Sequence, residues 1–397
     1  MKKGWKTKTL GEVLEKTETV NPLQSPNAEF DYIDVSSVSN TTFEIEETQR
    51  LKGKDAPSRA RKLVRTNDVI FATIRPTLQR IAVVPEHLDK QVCSTGYFVL
   101  RPRQGIDHRF VFYSLFTENF IGQMESLQKG ASYPAVTDGD VRAQEIPVPP
   151  LVEQQRIVGL LDEAFEGIAS AKANAEKNLQ NARALFESHL QSVFTQRGPG
   201  WVEKSLEELG TITSSKRIFK SEYVESGVPF YRTKEIKQLA NGRDITTELF
   251  ISEARYKEIK TGFGVPKEGD ILLTAIGTIG EIWVVEGDND FYFKDGNVLW
   301  LKEFTSINPG FLKYVLVSFV ESLNKMAHGS AYSALPIQRL NAHRIFLPSK
   351  AEQEDIVATL DTLSEETQNL ARLYERKLAA LEALKKSLLH QAFYGEL

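Results

Sequence analysis

Two long stretches of the chain carry apolar or small residues at a spacing of about 3.6 positions, the period of an α-helix. One begins near Ile157 and the other near Ile356. We predict two helices, each about 54 Å long at 1.5 Å per residue, and neither can bury its apolar stripe alone. The residues expected to pack these helices together are Ile157, Leu161, Ile168, Leu179 and Phe186 in the first, and Ile356, Leu360, Leu370, Leu381 and Leu388 in the second.

The segments before each long helix have a different pattern of short apolar and β-branched runs. Examples are "DVIFATI", "YFVLRP", "DILLTAI" and "NVLWLKE", and Gly, Pro, Asn and Asp separate them. This pattern is typical of strands and turns. We also predict a shorter helix in each segment, from about Arg109 to Leu127 and from about Gly310 to Lys325. Asp107 and Asn308 stand just upstream as N-cap residues.

The second half of the chain repeats the first with an offset near 199 residues. Between Gly130–Phe165 and Gly329–Ser364, 12 of 36 aligned positions are identical without a gap. Earlier in each half, Asp68–Val84 resembles Asp270–Val285 with one residue of slip, and "GWKTKTLGEV" resembles "GWVEKSLEELG". A fixed-period repeat of this kind indicates a tandem duplication.

The duplication predicts an α+β fold with two β-rich globular domains and two long helices packed as an antiparallel coiled coil. The expected boundaries are 1–150 and 198–349 for the globular domains, with the long helices at 151–197 and 350–397. The end of the second copy and the start of the first look like two sides of one junction. We therefore expect the termini to lie close together in a pseudo-two-fold, ring-like molecule. The alternative is that each helix docks only on its own domain.

Composition narrows the class of protein without identifying it. The chain has 397 residues, 41% of them hydrophobic and 26% charged, and a formal net charge of −4. Cys93 is the one cysteine, which excludes an intramolecular disulfide. No apolar run approaches the roughly 18–20 residues of a membrane span, and the lysine-containing N-terminus lacks the apolar core of a secretory signal. We expect a cytoplasmic protein.

Charge is unevenly distributed along the sequence. Nine Lys or Arg residues lie between Arg50 and Arg80, against Asp55 and Asp68. A local basic surface can bind phosphate even when the whole chain is acidic. The alternative is an ordinary solvated face.

Several catalytic signatures are missing from the sequence. There is no G-x-x-x-x-G-K-[ST] loop for a nucleotide, and no Asn/Asp-Pro-Pro-aromatic tetrapeptide of an amino-methyltransferase. The six histidines are scattered and form no H-x-x-x-H pair. We expect no catalytic residues and no metal site in this chain.

Three motifs recur in both copies: a Gly-Ser/Ala-rich element with a tyrosine, an I-x-[LIV]-P strand, and E-Q-x-x-I-V-x-x-L-D at the start of the long helix. Together they resemble the specificity subunit of type I restriction–modification systems, over essentially the whole chain. The departures are Ser333 in place of a proline and Pro150 in place of a capping serine. The motifs span Gly130–Pro134, Ile146–Pro149 and Glu153–Asp162, then Gly329–Ser333, Ile345–Pro348 and Glu352–Asp361.

The resemblance implies a DNA-recognition subunit that is not catalytic by itself. Each globular domain would read one half of an asymmetric bipartite target in double-stranded DNA. The helical pair would set the gap between the halves and dock two methyltransferase subunits, with motor–nuclease subunits joining through the complex. S-adenosylmethionine, ATP and Mg²⁺ would be used by those partners, and this chain would bind no cofactor. Two alternatives are a self-contained methyltransferase or nuclease, and a coiled-coil protein-binding scaffold without DNA specificity.

Candidate DNA-binding residues are basic, amide or hydroxyl side chains on turns near the repeated motifs, because such groups contact phosphates and base edges. Tyr133 and Tyr332 could instead pack in a core, and Arg75 could instead form a surface salt bridge. The candidates of the first domain are Arg75, Gln79, Arg80, Lys129, Ser132 and Tyr133. Those of the second are Lys216, Arg217, Thr278, Lys325, His328, Ser330 and Tyr332.

Overall fold

A computed structural model of the chain describes residues 4–319 and 335–397. The chain divides into two compact units. The first unit comprises Met1–Lys177 and Glu375–Leu397, and the second comprises Asn178–Tyr374. Both divisions fall inside the long helices, so each unit holds one globular domain, the start of the helix that follows it, and the end of the other long helix.

The globular domain of the first unit contains three small sheets. Two of them have the strand orders β3-β2-β7-β4 and β6-β5-β8, and β1 pairs with β9. The strands are β1 Lys6–Thr9, β2 Glu29–Ile33, β3 Gln49–Lys52, β4 Ala60–Leu63, β5 Val69–Ala72, β6 Ile81–Val83, β7 Val92–Ser94, β8 Tyr97–Leu100 and β9 Glu145–Val148. The helices are α1 Leu10–Val13, α2 His108–Ser114, α3 Glu118–Leu127, α4 Asp138–Arg142 and the long α5 Leu151–Thr195.

The second unit repeats this plan. Its sheets have the orders β11-β18-β15-β16 and β12-β14-β13-β17, and β10 pairs with β19. The strands are β10 Val202–Ser205, β11 Thr211–Ser214, β12 Tyr223–Val224, β13 Val228–Tyr231, β14 Phe250–Ile251, β15 Ile271–Thr274, β16 Ile282–Val284, β17 Tyr292–Phe293, β18 Val298–Lys302 and β19 Arg344–Leu347. The helices are α6 Thr233–Ala240, α7 Glu253–Gly262, α8 Pro309–Ser318, α9 Ile337–Asn341 and the long α10 Lys350–Tyr394.

The central strand of each domain is apolar throughout because both of its faces are covered. In β5, Val69 and Phe71 belong to one core cluster, whereas Ile70 and Ala72 belong to another. Alternate residues of a strand point to opposite faces, so this sheet lies between two cores. The same separation occurs in β15, where Leu272 and its neighbours on the strand belong to different clusters. This explains the uninterrupted "DVIFATI" and "DILLTAI" runs.

The shorter helices agree with the prediction in their caps and differ in their lengths. The Asp107 side chain accepts backbone hydrogen bonds at the start of α2, and Asn308 does so at the start of α8. The helix expected from Arg109 to Leu127 is two helices, which is a correction. Thr117 interrupts it and caps the second one, where its hydroxyl accepts the N–H of Phe120 at 3.3 Å.

The two long helices each contain 45 residues. At 1.5 Å per residue they are about 68 Å long, longer than the 54 Å expected. Among the predicted packing residues, Ile157 and Leu161 are 1% exposed and Leu360 is fully buried. Ile168 is also buried, whereas Leu179, Phe186, Ile356, Leu381 and Leu388 are half-buried.

Leu370 corrects the prediction for the second helix, because 40% of this residue is exposed. The less exposed positions of α10 advance in alternating steps of four and three, which is the period of about 3.5 of a coiled coil rather than 3.6. Ala371, not Leu370, belongs to this series of less exposed positions. The positions in this series are Leu360, Ser364, Thr367, Ala371, Tyr374, Leu378, Leu381, Lys385, Leu388 and Ala392.

Within each unit the two helices run antiparallel. In the first unit, the Arg156 guanidinium donates to the Leu397 carbonyl at 2.8 Å, and Lys172 pairs with Glu382 at 2.7 Å. Residue numbers therefore rise on α5 as they fall on α10. In the second unit, Leu190 of α5 shares a buried cluster with Leu360 of α10. The antiparallel pairing is confirmed.

The first globular domain also packs on the end of the second long helix. Phe393 and Ala392 lie in the same core as Phe110, and the Phe110 and Phe393 rings are 4.8 Å apart. Trp5 and Leu397 both pack against this core, so residues near the two termini lie close together, as expected. The alternative, in which each helix docks only on its own domain, is wrong. Within residues 4–319 and 335–397, no helix is long and apolar enough to cross a membrane.

Candidate nucleic-acid interface

A buried ion pair joins β5 and β8 in the first domain, at the ends opposite the turn that carries Arg75. Asp68 precedes β5 and is 1% exposed. Its two carboxylate oxygens accept hydrogen bonds from Arg101, directly after β8, at 2.9 and 2.8 Å. These bonds to Asp68 raise the pKa of Arg101, so the guanidinium stays charged. A bidentate pair of this kind is geometrically specific, and it ties the start of β5 to the end of β8.

The turn between β5 and β6 carries three predicted residues, of which two have unusual backbone conformations. Arg75 has φ of 49° and Gln79 has φ of 52°, both in the left-handed region. Between them, Pro76–Leu78 forms a single 3₁₀ turn. Residues other than glycine rarely adopt this backbone conformation, and those that do so cluster at functional sites.

The Gly130–Pro134 motif lies directly beside this turn. The Arg75 N–H donates to the Pro134 carbonyl at 2.7 Å, and Lys129 and Ala135 exchange two backbone hydrogen bonds of 2.9 Å. The Arg75 guanidinium lies 5.1 Å from the centre of the Tyr133 ring and 3.4 Å from the Ser132 carbonyl oxygen. The structure thus brings together four residues predicted separately from two distant segments.

Tyr133 and Arg75 are both available at the surface. Tyr133 is 71% exposed, which contradicts the alternative that it packs in a core. Arg75 is exposed, and no carboxylate in the described part of the chain forms an ion pair with it, so the surface salt bridge is also contradicted. Lys129 and Ser132 are exposed as well.

Arg80 is placed differently from its neighbours on the turn. It is half-buried, and one guanidinium nitrogen donates to the carbonyls of Val38 and Ser36, the latter at 3.3 Å. These bonds hold the turn that follows Asp34 against β6. The geometry gives Arg80 an internal structural role, and its assignment as a DNA contact stays a prediction.

Most of the basic run between Arg50 and Arg80 is engaged inside the domain. Arg50 pairs with Asp31 at 2.9 Å, Lys62 with Asp138 at 2.8 Å, and Arg65 with Glu18. Four exposed cations of this run, Lys52, Lys54, Arg59 and Arg75, form no ion pair within the structure described. The local excess of positive charge is therefore smaller at the surface than in the sequence.

In the second domain, Lys216 and Arg217 precede a short exposed turn. The Lys216 backbone N–H donates to the Tyr292 hydroxyl at 2.7 Å, and Lys216 is exposed. Arg217 has a side chain 70% exposed and pairs with Asp295 at 2.8 Å. Thr278 lies on the turn between β15 and β16, where its carbonyl accepts the Thr274 hydroxyl at 2.5 Å. Lys325, His328, Ser330 and Tyr332 lie outside the described residues.

The prediction missed Phe219, which is 61% exposed. It stands between Arg217 and Lys220 in "SKRIFKSE" and begins a one-turn 3₁₀ helix. An aromatic side chain among basic residues is typical of nucleic-acid surfaces, where it stacks on or wedges between bases. An isolated aromatic within a basic run was the signal available in the sequence.

The repeated E-Q-x-x-I motif is structural. The Gln154 side chain accepts the Asp107 N–H at 2.8 Å and donates to the Pro149 carbonyl at 2.8 Å. Gln353 makes the equivalent contacts with Asn308 and Pro348, at 2.7 and 3.0 Å. Both glutamines are 1% exposed. The motif therefore locks the start of each long helix to its own domain.

The aspartate that ends the motif acts in the same way. The Tyr113 hydroxyl donates to Asp162, and the Tyr314 hydroxyl donates to Asp361. Burial, with the hydrogen bond to Asp162, raises the pKa of Tyr113 to about 12. Both tyrosines therefore remain protonated donors at neutral pH. These two hydrogen bonds join α2 to α5 and α8 to α10.

No constellation with catalytic chemistry is found in the part of the chain described. Within it, no group of three His, Cys, Asp or Glu side chains could hold a metal ion. Cys93 is buried, and burial raises the pKa of its thiol to about 12, so the reactive thiolate is disfavoured. The candidate interface instead presents cationic, amide and hydroxyl groups and exposed aromatic rings.

The repeated architecture matches a known family twice. The family model for the type I restriction modification DNA specificity domain matches residues 2–180 and again residues 199–377. The chain belongs to this family. The two matches coincide with the two copies found in the sequence.

Relatives of this DNA specificity family resemble the chain in sequence and in structure. A putative type I restriction enzyme specificity subunit of Haemophilus influenzae is 25% identical over 66% of this chain and 66% of that protein. The HsdS subunit of Thermoanaerobacter tengcongensis is 32% identical, with a TM-score of 0.70, over 100% of this chain and 98% of that one. A chain from a type I R-M system, solved to study complex assembly and conformational transition, is 30% identical with a TM-score of 0.83 over 100% and 99%.

Proposed function

We propose that this chain is the DNA-recognition subunit of a type I restriction–modification complex, with each globular domain reading one half of a bipartite target. The observation that carries the proposal is the duplication itself. Both copies match the DNA specificity domain, and each packs on the start of one long helix and the end of the other. Because the copies have diverged in sequence, the two halves of the target should differ.

The two long helices support a spacer role. Each is a continuous 45-residue element that leaves one unit and enters the other. A helix is stiff and has a fixed rise per residue, so its length can determine how many base pairs lie unread between the two halves. In this proposal the helices determine the length of the unread gap, and the loops of the domains determine which bases are recognised.

The chemistry would come from partner subunits. The surface described above provides binding groups, so methyl transfer and cleavage are assigned to two methyltransferase subunits and to motor–nuclease subunits. S-adenosylmethionine, ATP and Mg²⁺ would be bound by those partners. The proposal includes a cytoplasmic location, since the complex would act on cellular DNA.

Co-expression with the methyltransferase subunits of its own restriction–modification system tests the proposal. Methylated adenines should map to one asymmetric bipartite sequence with a gap of fixed length. The control is the methyltransferase expressed without this chain, which should leave that sequence unmethylated. Methylation that does not depend on the chain would overturn the proposal.

The two other functions give different results in the same experiment. A self-contained methyltransferase would methylate DNA as the purified chain alone. A coiled-coil scaffold would form the protein complex, yet that complex would show no salt-dependent and sequence-dependent DNA binding. No comparison supports the scaffold.

A further inference from the structure

The turn after the central strand differs between the two copies in an informative way. Arg75 is the seventh residue after Asp68, and Gly277 is the seventh after Asp270. At the other end of the turn, Gln79 and Gly280 each stand two residues before an isoleucine that begins the next strand. The single residue of slip between the copies lies inside the turn, so these are equivalent positions.

All four residues have a left-handed backbone. Gly277 has φ of 80° and Gly280 has φ of 95°, beside 49° for Arg75 and 52° for Gln79. Glycine adopts this conformation readily because it has no Cβ, whereas an L side chain meets steric resistance there. The second domain has the residue that the backbone favours at both positions. The first domain has a long polar side chain at both, at a cost in stability.

A left-handed residue is not by itself a sign of function. Asn67 (φ 67°) stands at the position of Gly269 (φ 85°), but asparagine tolerates this conformation well. Arginine and glutamine have no such tolerance. Arg75 is exposed and Gln79 is half-buried, and backbone strain kept at two positions of one turn points to the side chains as the reason.

The surroundings of Arg75 suit a reading role. Its guanidinium is held over the Tyr133 ring and near the Ser132 carbonyl, and it pairs with no carboxylate in the ranges that the structure covers. The Gln79 side chain likewise makes no hydrogen bond to any described residue. One Arg75 nitrogen donates to the Ser132 carbonyl at 3.4 Å, whereas the other guanidinium donors and the Gln79 amide have no partner among the described residues and are available to another molecule.

Arginine and glutamine are also the side chains that make two hydrogen bonds to a base edge. In the major groove, arginine pairs with O6 and N7 of guanine, and glutamine pairs with N6 and N7 of adenine. We propose that Arg75 reads a guanine and Gln79 an adenine in the half-site of the first domain. Tyr133 and Ser132 are positioning residues for Arg75. The second domain has glycine at both equivalent positions and therefore reads its own half-site without side chains from these two positions.

The inference rests on the proposed function, and transferring the glycines of the second domain tests it. The variants Arg75→Gly and Gln79→Gly are made in the full chain and co-expressed with the methyltransferase subunits. Because each change relieves a strained backbone, we expect a thermal midpoint close to or above that of the parent. Methylation of the parent target should fall roughly 5- to 150-fold, the loss expected for one bidentate base contact.

Sequence mapping of the methylated sites gives the decisive readout. Each variant should relax one position of the first half-site and leave the second half-site unchanged. Arg75→Lys, which keeps the charge but loses the bidentate geometry, should relax the same position. Lys90→Gly is the matched control, because Lys90 is an exposed left-handed residue (φ 59°) in the same unit and should leave the target unchanged.

Two results separate failure of this inference from failure of the proposed function. If the parent complex methylates a bipartite target but Arg75→Gly and Gln79→Gly relax no position of it, the inference is overturned and the proposed function stands. If Arg75→Lys restores full methylation and specificity, Arg75 contacts only phosphate and the inference is again overturned. If the parent complex has no bipartite target, the proposed function itself is wrong.

Discussion

Gln154 accepts a hydrogen bond from the backbone N–H of Asp107, and Gln353 accepts the same bond from Asn308 in the other unit. In each case the helix-capping residue of a short helix is also tied to the first turn of a long one. The side-chain amide also donates to a proline carbonyl just before that turn. One buried side chain therefore fixes three backbone segments, and the two copies have kept it while most surrounding residues diverged.

Replacing this glutamine should destabilise the unit that contains it. Gln154→Ala leaves a buried N–H and a buried carbonyl without partners, which costs about 1–3 kcal/mol for each such group. Urea unfolding of the purified chain measures the loss. Gln155→Ala is the matched control, since Gln155 is exposed on the same turn. Equal stability of the two variants would show that the Gln154 hydrogen bonds do not stabilise the unit. Gln353→Ala should behave like Gln154→Ala.

The exposure of Leu370 leads to a second prediction. Leu360 is fully buried between α5 and α8, where it contacts Leu190 and Tyr314. Leu360→Ala should lower the free energy of unfolding by about 2–5 kcal/mol, the usual cost of a buried leucine. Leu370→Ala should change it by no more than about 0.5 kcal/mol, as surface substitutions do. Urea unfolding of both variants compares them, and similar losses would show that Leu370 is packed after all.

The partial burial of the His343 ring leads to a prediction of how the stability of the second unit depends on pH. Its ring is half-buried and stacks on Phe319 at 4.1 Å, and burial lowers its pKa. Below the unfolded-state pKa of about 6.5, the unfolded chain binds a proton that the folded chain resists. The contribution of neutral His343 to stability is therefore present above that pH and lost as the pH falls through the lowered pKa.

The variant His343→Phe keeps the aromatic stack and removes the titrating group. Its free energy of unfolding should fall less than that of the parent between pH 7 and pH 5. Urea titrations at the two pH values provide the measurement. The same fall in both proteins would show that His343 does not contribute to the pH dependence.

The sequence predicted the large elements because their signals are local or repeated. Helix periodicity, the caps Asp107 and Asn308, and the duplication all follow from residues close together in the chain. The identity of the packed face of α10 did not follow. Counted from Leu360, both Leu370 and Ala371 lie close to a helical repeat of about 3.5 residues, so only the packing of α10 against its neighbours selects Ala371.

The candidate interface was predictable in its residue types and unpredictable in its geometry. Arg75 and Tyr133 were predicted separately as DNA contacts, and only the structure shows that the guanidinium lies over the tyrosine ring. The left-handed backbone of Arg75 and Gln79 depends on how the turn closes, which no local residue preference indicates. The carbonyls that engage Arg80 lie about forty residues away in sequence, so its internal role could not be read locally.

Shortening both long helices tests whether they set the gap in the target. Deleting residues 173–179 and 373–379 removes one heptad from each, so the helices keep the coiled-coil period that packs them. Seven residues correspond to about 10 Å of helix, and hence to at most about three base pairs at 3.4 Å each. In the co-expression experiment, the methylated target should keep both half-sites and lose base pairs from the gap.

The control for this deletion replaces the same residues with a heptad of equal length and the same polar pattern. It should keep the original gap, because helix length rather than helix sequence sets the spacing. An unchanged gap in a deletion variant that still methylates DNA would contradict the spacer role. In that case the spacing would have to come from contacts between the globular domains and their partner subunits, since the shortened helices could no longer hold it.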